Sequence, residues 1–567
     1  MSSFLQRAGA VARRWLARFS GPGLAVGLAF FWLALGPALT PRPALFQGAS
    51  AGVCAAIGYG LGAAGAALAR LTPLAGKVPA VWRRRGWWIL AVAGPLVVVG
   101  GLIWSANWQH RLRELMGMPQ PASVGSVVTL LTALVLFTLL LQAARGLRVT
   151  ARAAARLIGR WLPRSASLVI AAVVVALVTV LVLNGVAGRV GRATLETTFS
   201  ALDGQTFEGN EQPAVAQRSG SSASAQAWDT LGREGRRFVS GGPSTEQLRA
   251  FDDSIGMDRE VTEPIRVYAG RTSADSLDGV AANVVAELDR TDAWDRSVLV
   301  VTTTTGTGWV DPSSAAAIEL AWGGDTAIAA MQYSYLPSWV SFVGDRSTPT
   351  QAGVALFEAV RAAWEAQPAD HRPALYVYGI SLGSFGSQGA FASLDDVLAR
   401  TDGALWVGVP GFTPLWEQLT AARDAGSTQI APVLDGGTHV RWGVSLADTG
   451  DGLYALGEQW STPRVVYLQH ASDGVIWWSP SLLFSRPDWS REPRGADVLP
   501  DVRWTPIVTF WQLTIDQFVA GDAPSGHGHN YAVEYADAWT AVATPPDWTT
   551  ADTVALRAAI ASTLETD

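Results

Sequence analysis

A single cysteine, Cys54, serves all 567 residues. It lies in an apolar run, so disulfides, cysteine-based zinc sites and a cysteine nucleophile are all excluded. Histidine is nearly as scarce, with six in the chain. Any imidazole base must come from that short field. The third scarcity is regional: residues 1–192 contain one acid, Glu114, against 20 Arg and Lys, and the rest of the chain is rich in acids. Two bodies with different surroundings share this chain. With 49% hydrophobic residues and a mean hydropathy of +0.20, it is too apolar for an ordinary soluble enzyme.

Five runs within residues 1–190 are long and apolar enough to cross a bilayer core of about 30 Å. They are 21–39, 44–69, 86–104, 124–144 and 166–187, and together they predict an all-α transmembrane bundle. Glycine dilutes the second run, although Gly58-x-x-x-Gly62 is a spacing suited to close helix contact. A hairpin that does not cross fully is its alternative. The Arg-rich stretches before the first run, between the second and third, and between the fourth and fifth predict a multi-pass protein of the cell membrane. Its N-terminus would be cytoplasmic, and everything after about residue 190 would lie outside the cytoplasm. Arg13-Arg14 fits that flank better than an export signal. Ionisable side chains are almost absent from the runs, which argues against a transport path.

Residues 191–262 read as a linker and membrane-proximal segment. Ser219-Gly220-Ser221-Ser222-Ala223-Ser224 suggests flexibility, and the Arg233, Arg236 and Arg237 cluster suggests packing or a solvated face. From 263 to 567, short apolar β-rich runs at 265–268, 297–303, 327–333, 375–378, 404–409 and 465–469 alternate with helical patterns. Such alternation predicts an α/β domain with a mostly parallel sheet and functional residues at the carboxyl ends of its strands. The long excursion 411–460 is a possible lid.

The run at 375–378 leads into Gly379-Ile380-Ser381-Leu382-Gly383 and then a helical stretch. Glycines two residues either side of a serine allow the sharp turn that exposes its hydroxyl, so Ser381 is the candidate nucleophile. A base must meet it, and an acid must orient the base. Asp473 follows the run at 465–469 and is the candidate acid. Of the six histidines, His110 falls in a membrane loop, His371 at the far end of the nucleophile strand, His439 in the excursion and His470 just before Asp473. His527 and His529, in Ser525-Gly526-His527-Gly528-His529-Asn530, sit on a loop able to reach Ser381. His527 is the preferred base and His529 the alternative. His-x-His could also hold a metal, but no acidic or cysteine cluster completes such a site, and the chemistry requires neither metal nor cofactor. For the oxyanion, the backbone N–H of Leu382 and the loop containing Gly306, Thr307 and Gly308 are the candidate donors. That loop lacks the lysine of a phosphate-binding loop. The order serine, acid, histidine is that of α/β-hydrolases.

Together with residues 232–239, 305–312 and 331–339, the Ser381 elbow, His470-Ala471-Ser472-Asp473 and Gly526-His527-Gly528-His529 resemble a bacterial membrane-anchored α/β-hydrolase family. Its members pair an N-terminal multi-span region with a C-terminal hydrolase domain. The resemblance implies a serine-hydrolase fold without a defined substrate. Trp309, Trp339, Trp416, Trp477 and Trp478 suggest an apolar groove, and a membrane setting suggests a lipid or other ester as substrate. The expected activity is that of an esterase, lipase or acyltransferase of the cell envelope. A peptidase of the same fold, or a non-catalytic envelope binding protein, are the rival readings. The acidic outer domain argues against nucleic acid.

Overall fold

In the computed structural model, which describes residues 19–71, 79–120, 124–160, 163, 167, 170–171, 173–175, 177–179, 185, 188–338, 340–341, 345–444 and 452–564, the chain forms two units. One comprises residues 1–190 with 480–490 and 498–519. The other comprises 191–479, 491–497 and 520–567.

The first unit is helical. Ala44–Ala69, Val81–Leu115 and Gly125–Ile158 are long and apolar enough to cross a membrane. Gly21–Ala34 has only 14 residues, about 21 Å at 1.5 Å per residue. The expected span 21–39 stops early because Gly36-Pro37, Pro41 and Pro43 cannot continue the helix. Most of the fifth expected span, 166–187, lies outside the described residues, as do the arginines before residue 19.

Glycine makes Ala44–Ala69 the hub of this unit. A Cβ on Gly58 would come within 2.7 Å of Phe30 and one on Gly62 within 2.6 Å of the Pro22 carbonyl. The Gly58-x-x-x-Gly62 spacing therefore lets this helix press against Gly21–Ala34. Gly48 and Gly52 do the same toward Gly125–Ile158, where a Cβ would meet the carbonyls of Thr129 at 2.5 Å and Ala133 at 2.8 Å.

The second unit is built on seven parallel strands: β1 Ile265–Ala269, β2 Val298–Thr303, β3 Thr326–Met331, β4 Ala374–Ile380, β5 Gly403–Val407, β6 Val440–Gly443 and β7 Arg464–Leu468, in the order β1-β3-β2-β4-β5-β7-β6. Nearly every strand residue is buried, since helices cover both faces of a parallel sheet. Strand β6 comes from the excursion expected to be a lid: Val440–Gly443 pairs with Val465–Leu468 and extends the sheet edge. Residues 445–451 of that excursion lie outside the described residues.

The expected linker is also incorporated. Ser219 and Ser224 donate their hydroxyls to the buried Glu287 carboxylate at 2.8 Å, and the Ala225 N–H donates to it at 2.8 Å. A buried carboxylate needs such donors, so the serine-rich stretch is fixed. Arg236 is buried too, donating to the carbonyls of Asp203 and Gln205 at 2.7 and 2.6 Å. The basic cluster thus supports packing.

Candidate active site

Strand β4 runs into Ser381 and then the helix Leu382–Gln388. Ser381 has φ 55° and ψ −124°, a conformation non-glycine residues rarely adopt. Strain of this kind costs on the order of 1–3 kcal/mol and persists where the surroundings enforce it. Here the flanking glycines make room for it. A Cβ on Gly379 would lie 2.5 Å from the Gly383 carbonyl carbon, and one on Gly383 would lie 2.3 Å from the Thr303 carbonyl. Only hydrogen at both positions allows the strand and helix to cross so closely.

The sheet register places the neighbours of Ser381. Ile380 of β4 pairs with Val407 of β5, which pairs with Leu468 of β7. The carboxyl ends of the three strands therefore carry, side by side, Ser381, Gly408 and the loop 469–473. The Ser381 N–H donates to the Val407 carbonyl and the Gly408 N–H to that of Leu468, both at 2.9 Å.

Asp473 is fully buried at the end of that loop. One carboxylate oxygen, Oδ1, accepts from the Val475 N–H at 2.8 Å. The other, Oδ2, accepts from His529 Nδ1 at 2.6 Å and from the Tyr531 hydroxyl at 2.7 Å. The ring that meets Asp473 is thus His529, the alternative base, and not His527. The backbone of His527 is committed to a turn, its N–H donating to the Pro524 carbonyl and its carbonyl accepting from the Asn530 N–H.

A carboxylate at Nδ1 leaves Nε2 as the basic nitrogen. That Nε2 is buried and has no hydrogen-bond partner among the described residues. The ring lies against Gly408, where a Cβ would come within 2.3 Å of Cε1 and 2.7 Å of Nδ1. Gly408 follows β5, the strand between those that lead to Ser381 and to Asp473, so the imidazole lies at the carboxyl end of that middle strand, bonded to Asp473 on one side.

A second set of bonds grips the histidine loop. Ser472 Oγ accepts from the Gly528 N–H at 2.8 Å and donates to Asp497. His470 Nδ1 meets the Gly528 carbonyl at 2.9 Å and its Nε2 meets Glu534 at 2.8 Å. The Tyr531 hydroxyl accepts from the His470 N–H at 3.1 Å, and the two rings stack with centroids 4.1 Å apart. Burial opposes a charge on His470, but Glu534, Asp497 and the Gly528 carbonyl outweigh it and hold its pKa up to about 9. The imidazolium form lets both ring nitrogens donate. Gly408, His470, Ser472 and Tyr531 all escaped the sequence reading as site residues. The His470-Ala471-Ser472-Asp473 and Gly526-His527-Gly528-His529 stretches, which carry part of the family resemblance, were the available signal.

On the other side of Ser381, Thr303 of β2 pairs with Gly379 of β4, and the loop with Gly306, Thr307 and Gly308 comes next in the chain. The Gly308 N–H closes a turn to the Thr305 carbonyl at 3.0 Å, and the Gly306 N–H reaches Ser338 Oγ at 3.3 Å. Thr307 accepts at its carbonyl from Gln332 at 3.1 Å, and its N–H has no hydrogen-bond partner among the described residues. Leu382 follows Ser381 as the first residue of its helix. Trp416, Trp477 and Trp478 are buried, Trp309 is half-buried, and Trp339 lies outside the described residues. Among the described residues no group of three or more His, Cys, Asp or Glu could hold a metal ion.

A family model described as the alpha/beta-hydrolase family matches residues 265–556. The chain belongs to the alpha/beta-hydrolase family. A second model, for that family's N-terminus, matches residues 35–243, which takes in three of the helices of the first unit, Ala44–Ala69, Val81–Leu115 and Gly125–Ile158. No curated protein and no solved structure matches the chain.

Proposed function

We propose that this alpha/beta-hydrolase is a membrane-anchored serine hydrolase that works through an acyl-enzyme, with Ser381 as nucleophile, His529 as base and Asp473 as acid. The observation that carries the reading is the His529–Asp473 hydrogen bond of 2.6 Å, with Nε2 unpartnered among the described residues and the ring against Gly408, at the end of the strand that pairs with the one leading to Ser381. In this mechanism His529 Nε2 takes the Ser381 proton as Oγ attacks an acyl carbon, then delivers it to the departing alcohol. Asp473 holds the tautomer and steadies the imidazolium. The developing oxyanion is met by the Leu382 N–H and, on the 304–308 loop, by the Thr307 N–H. Water or a second alcohol then accepts the acyl group.

An acyl chain is the substrate portion the surroundings favour. Phe385, one turn after Ser381, packs on Phe412 with ring centroids 5.4 Å apart, and Phe412 packs on Trp478 at 6.1 Å. A cavity of about 280 Å³ lies beside them, lined by Phe385, Phe391, Pro414 and Leu415 with Gln388 and Gln418 at its polar side. Three membrane-length helices would keep such a site near lipid esters, and the arginine bias favours a site outside the cytoplasm.

A fluorophosphonate probe tests this directly in purified full-length protein. Wild type and His527→Ala should label, whereas Ser381→Ala and His529→Ala should not. Asp473→Asn should label about 10⁴-fold more slowly, as when an orienting carboxylate is lost elsewhere. Labelling retained in His529→Ala and lost in His527→Ala would overturn the assignment of the base.

A further inference from the structure

The helical unit contains a polar cavity of about 220 Å³ in otherwise apolar surroundings. Arg42, Gln47, Ser105, Gln109, Arg113 and Thr129 line it. It is a built site, with Arg42, Gln47, Ser105, Gln109 and Thr129 all more than nine-tenths buried. Much of the network is internally satisfied. Arg42 is paired through Nε and NH2 with Asp516, and its NH1 donates to Gln47 Oε1 at 3.1 Å. Gln109 Oε1 accepts from the Arg42 N–H at 3.2 Å. Two polar atoms lack a partner among the described residues, Gln109 Nε2 and Arg113 Nε. Both are donors, and one belongs to a permanent cation, so their complement is an acceptor carrying negative charge. Asp516 is already matched by Arg42, and Glu114 is exposed.

A second cavity, of about 140 Å³, is lined by apolar residues including Leu28, Phe31, Val98, Leu130, Leu134 and Phe137. The two share helices and differ by one turn: Leu102 lines the polar cavity and Val98 the apolar one, and likewise Thr129 and Ala133. Four residues of helix rise about 6 Å. Leu134 is 52% exposed, so the apolar cavity opens sideways, where acyl chains would lie in a bilayer.

We propose that the helical unit binds one phospholipid, with its phosphate against Gln109 and Arg113 and an acyl chain in the cavity below. The proposal rests on membrane insertion of this unit and is independent of the acyl-enzyme chemistry. Native mass spectrometry of the delipidated full chain, titrated with phosphatidylglycerol, should show one saturable adduct. Diacylglycerol with the same tails should bind at least tenfold more weakly. Gln109→Leu combined with Arg113→Gln should weaken phosphatidylglycerol about tenfold and leave diacylglycerol unchanged, whereas Leu134→Trp should weaken both. Equal binding of the two lipids by wild type, which needs no variant to fold, overturns the proposal. So does the absence of a saturable adduct, which would leave the polar cavity to water. Inorganic phosphate binding as tightly as phosphatidylglycerol also overturns it, because the apolar cavity would then contribute nothing. Fluorophosphonate labelling of the same sample reads the hydrolase separately: lost labelling with the lipid retained counts only against the acyl-enzyme.

Discussion

One hydrogen atom, on Gly408, decides where the imidazole of His529 can lie. Gly408 has φ 53°, and a Cβ there would penetrate the ring at Cε1 and Nδ1 and stand 3.2 Å from Asp473 Oδ2. The methyl of Gly408→Ala must therefore push the ring away from its acid or distort the end of β5. A misplacement of about 1 Å can cost about 10²-fold in rate. Gly408→Ala should reduce the fluorophosphonate labelling rate by about that factor while the protein remains folded by circular dichroism. A labelling rate equal to wild type would show that the ring has room to spare. The same scale explains why the sequence, which favoured His527, does not reveal which of His527 and His529 meets Asp473. Both are flanked by glycine and both sit on the same loop, and only the turn from Pro524 to Asn530 turns one of them toward Asp473. That turn depends on Gly528 at φ 55° and on bonds from His470 and Ser472, which are distant in sequence.

Among elements, the loop 469–473 and the histidine loop act as one clamp, and its chemistry sets a pH dependence. His470 has a pKa near 9 in the folded protein against 6.5 for the free group. A base whose pKa rises on folding contributes stability that is fully present below about pH 6.5 and is lost as pH rises through about 9. Melting temperature in detergent should therefore fall across that window, and His470→Gln should flatten the fall. An unchanged profile in that variant would remove His470 from the account. At this scale most of the fold was legible. Six strands could be read because a parallel sheet buried on both faces demands continuous apolar runs. The seventh, β6, escaped because it is four residues long and contains a buried arginine: Arg441 donates to the carbonyls of Gly437, Leu453, Gly457 and Gln459. Only the folded excursion brings those carbonyls together. The order of the serine-rich stretch 219–224 was hidden for a similar reason, since serine signals flexibility until a buried acid such as Glu287 organises it.

Across the whole molecule, the path of the chain between Asp473 and His529 matters more than the boundary between two domains. After Asp473 the chain enters the helical unit at Pro480, leaves it for 491–497, and re-enters for 498–519 before returning at Ala520, shortly ahead of His529. Within the helical unit Val508 is fully buried beside Phe31 and Leu35, Gln512 donates to the Ala34 carbonyl at 3.2 Å, and Asp516 grips Arg42 in a bidentate pair. A chain starting at Gly191 would leave this segment without the helices that cover it, so it is expected to aggregate where the full chain does not. The ion pair gives a sharper test. Removing one partner of a buried pair leaves an uncompensated charge and costs about 3–5 kcal/mol, whereas replacing both with apolar groups is often neutral. Asp516→Ala should thus lower the melting temperature markedly, and Arg42→Met with Asp516→Leu should recover most of the loss. Labelling of Ser381 in the same variants asks whether the disturbance reaches the base through the short segment from Ala520 to His529. Slower labelling in Asp516→Ala, restored in the double variant, would mean that the helical unit sets the geometry of the base. Labelling unchanged at a temperature where the variant remains folded would mean that the clamp of His470, Ser472 and Tyr531 holds His529 by itself.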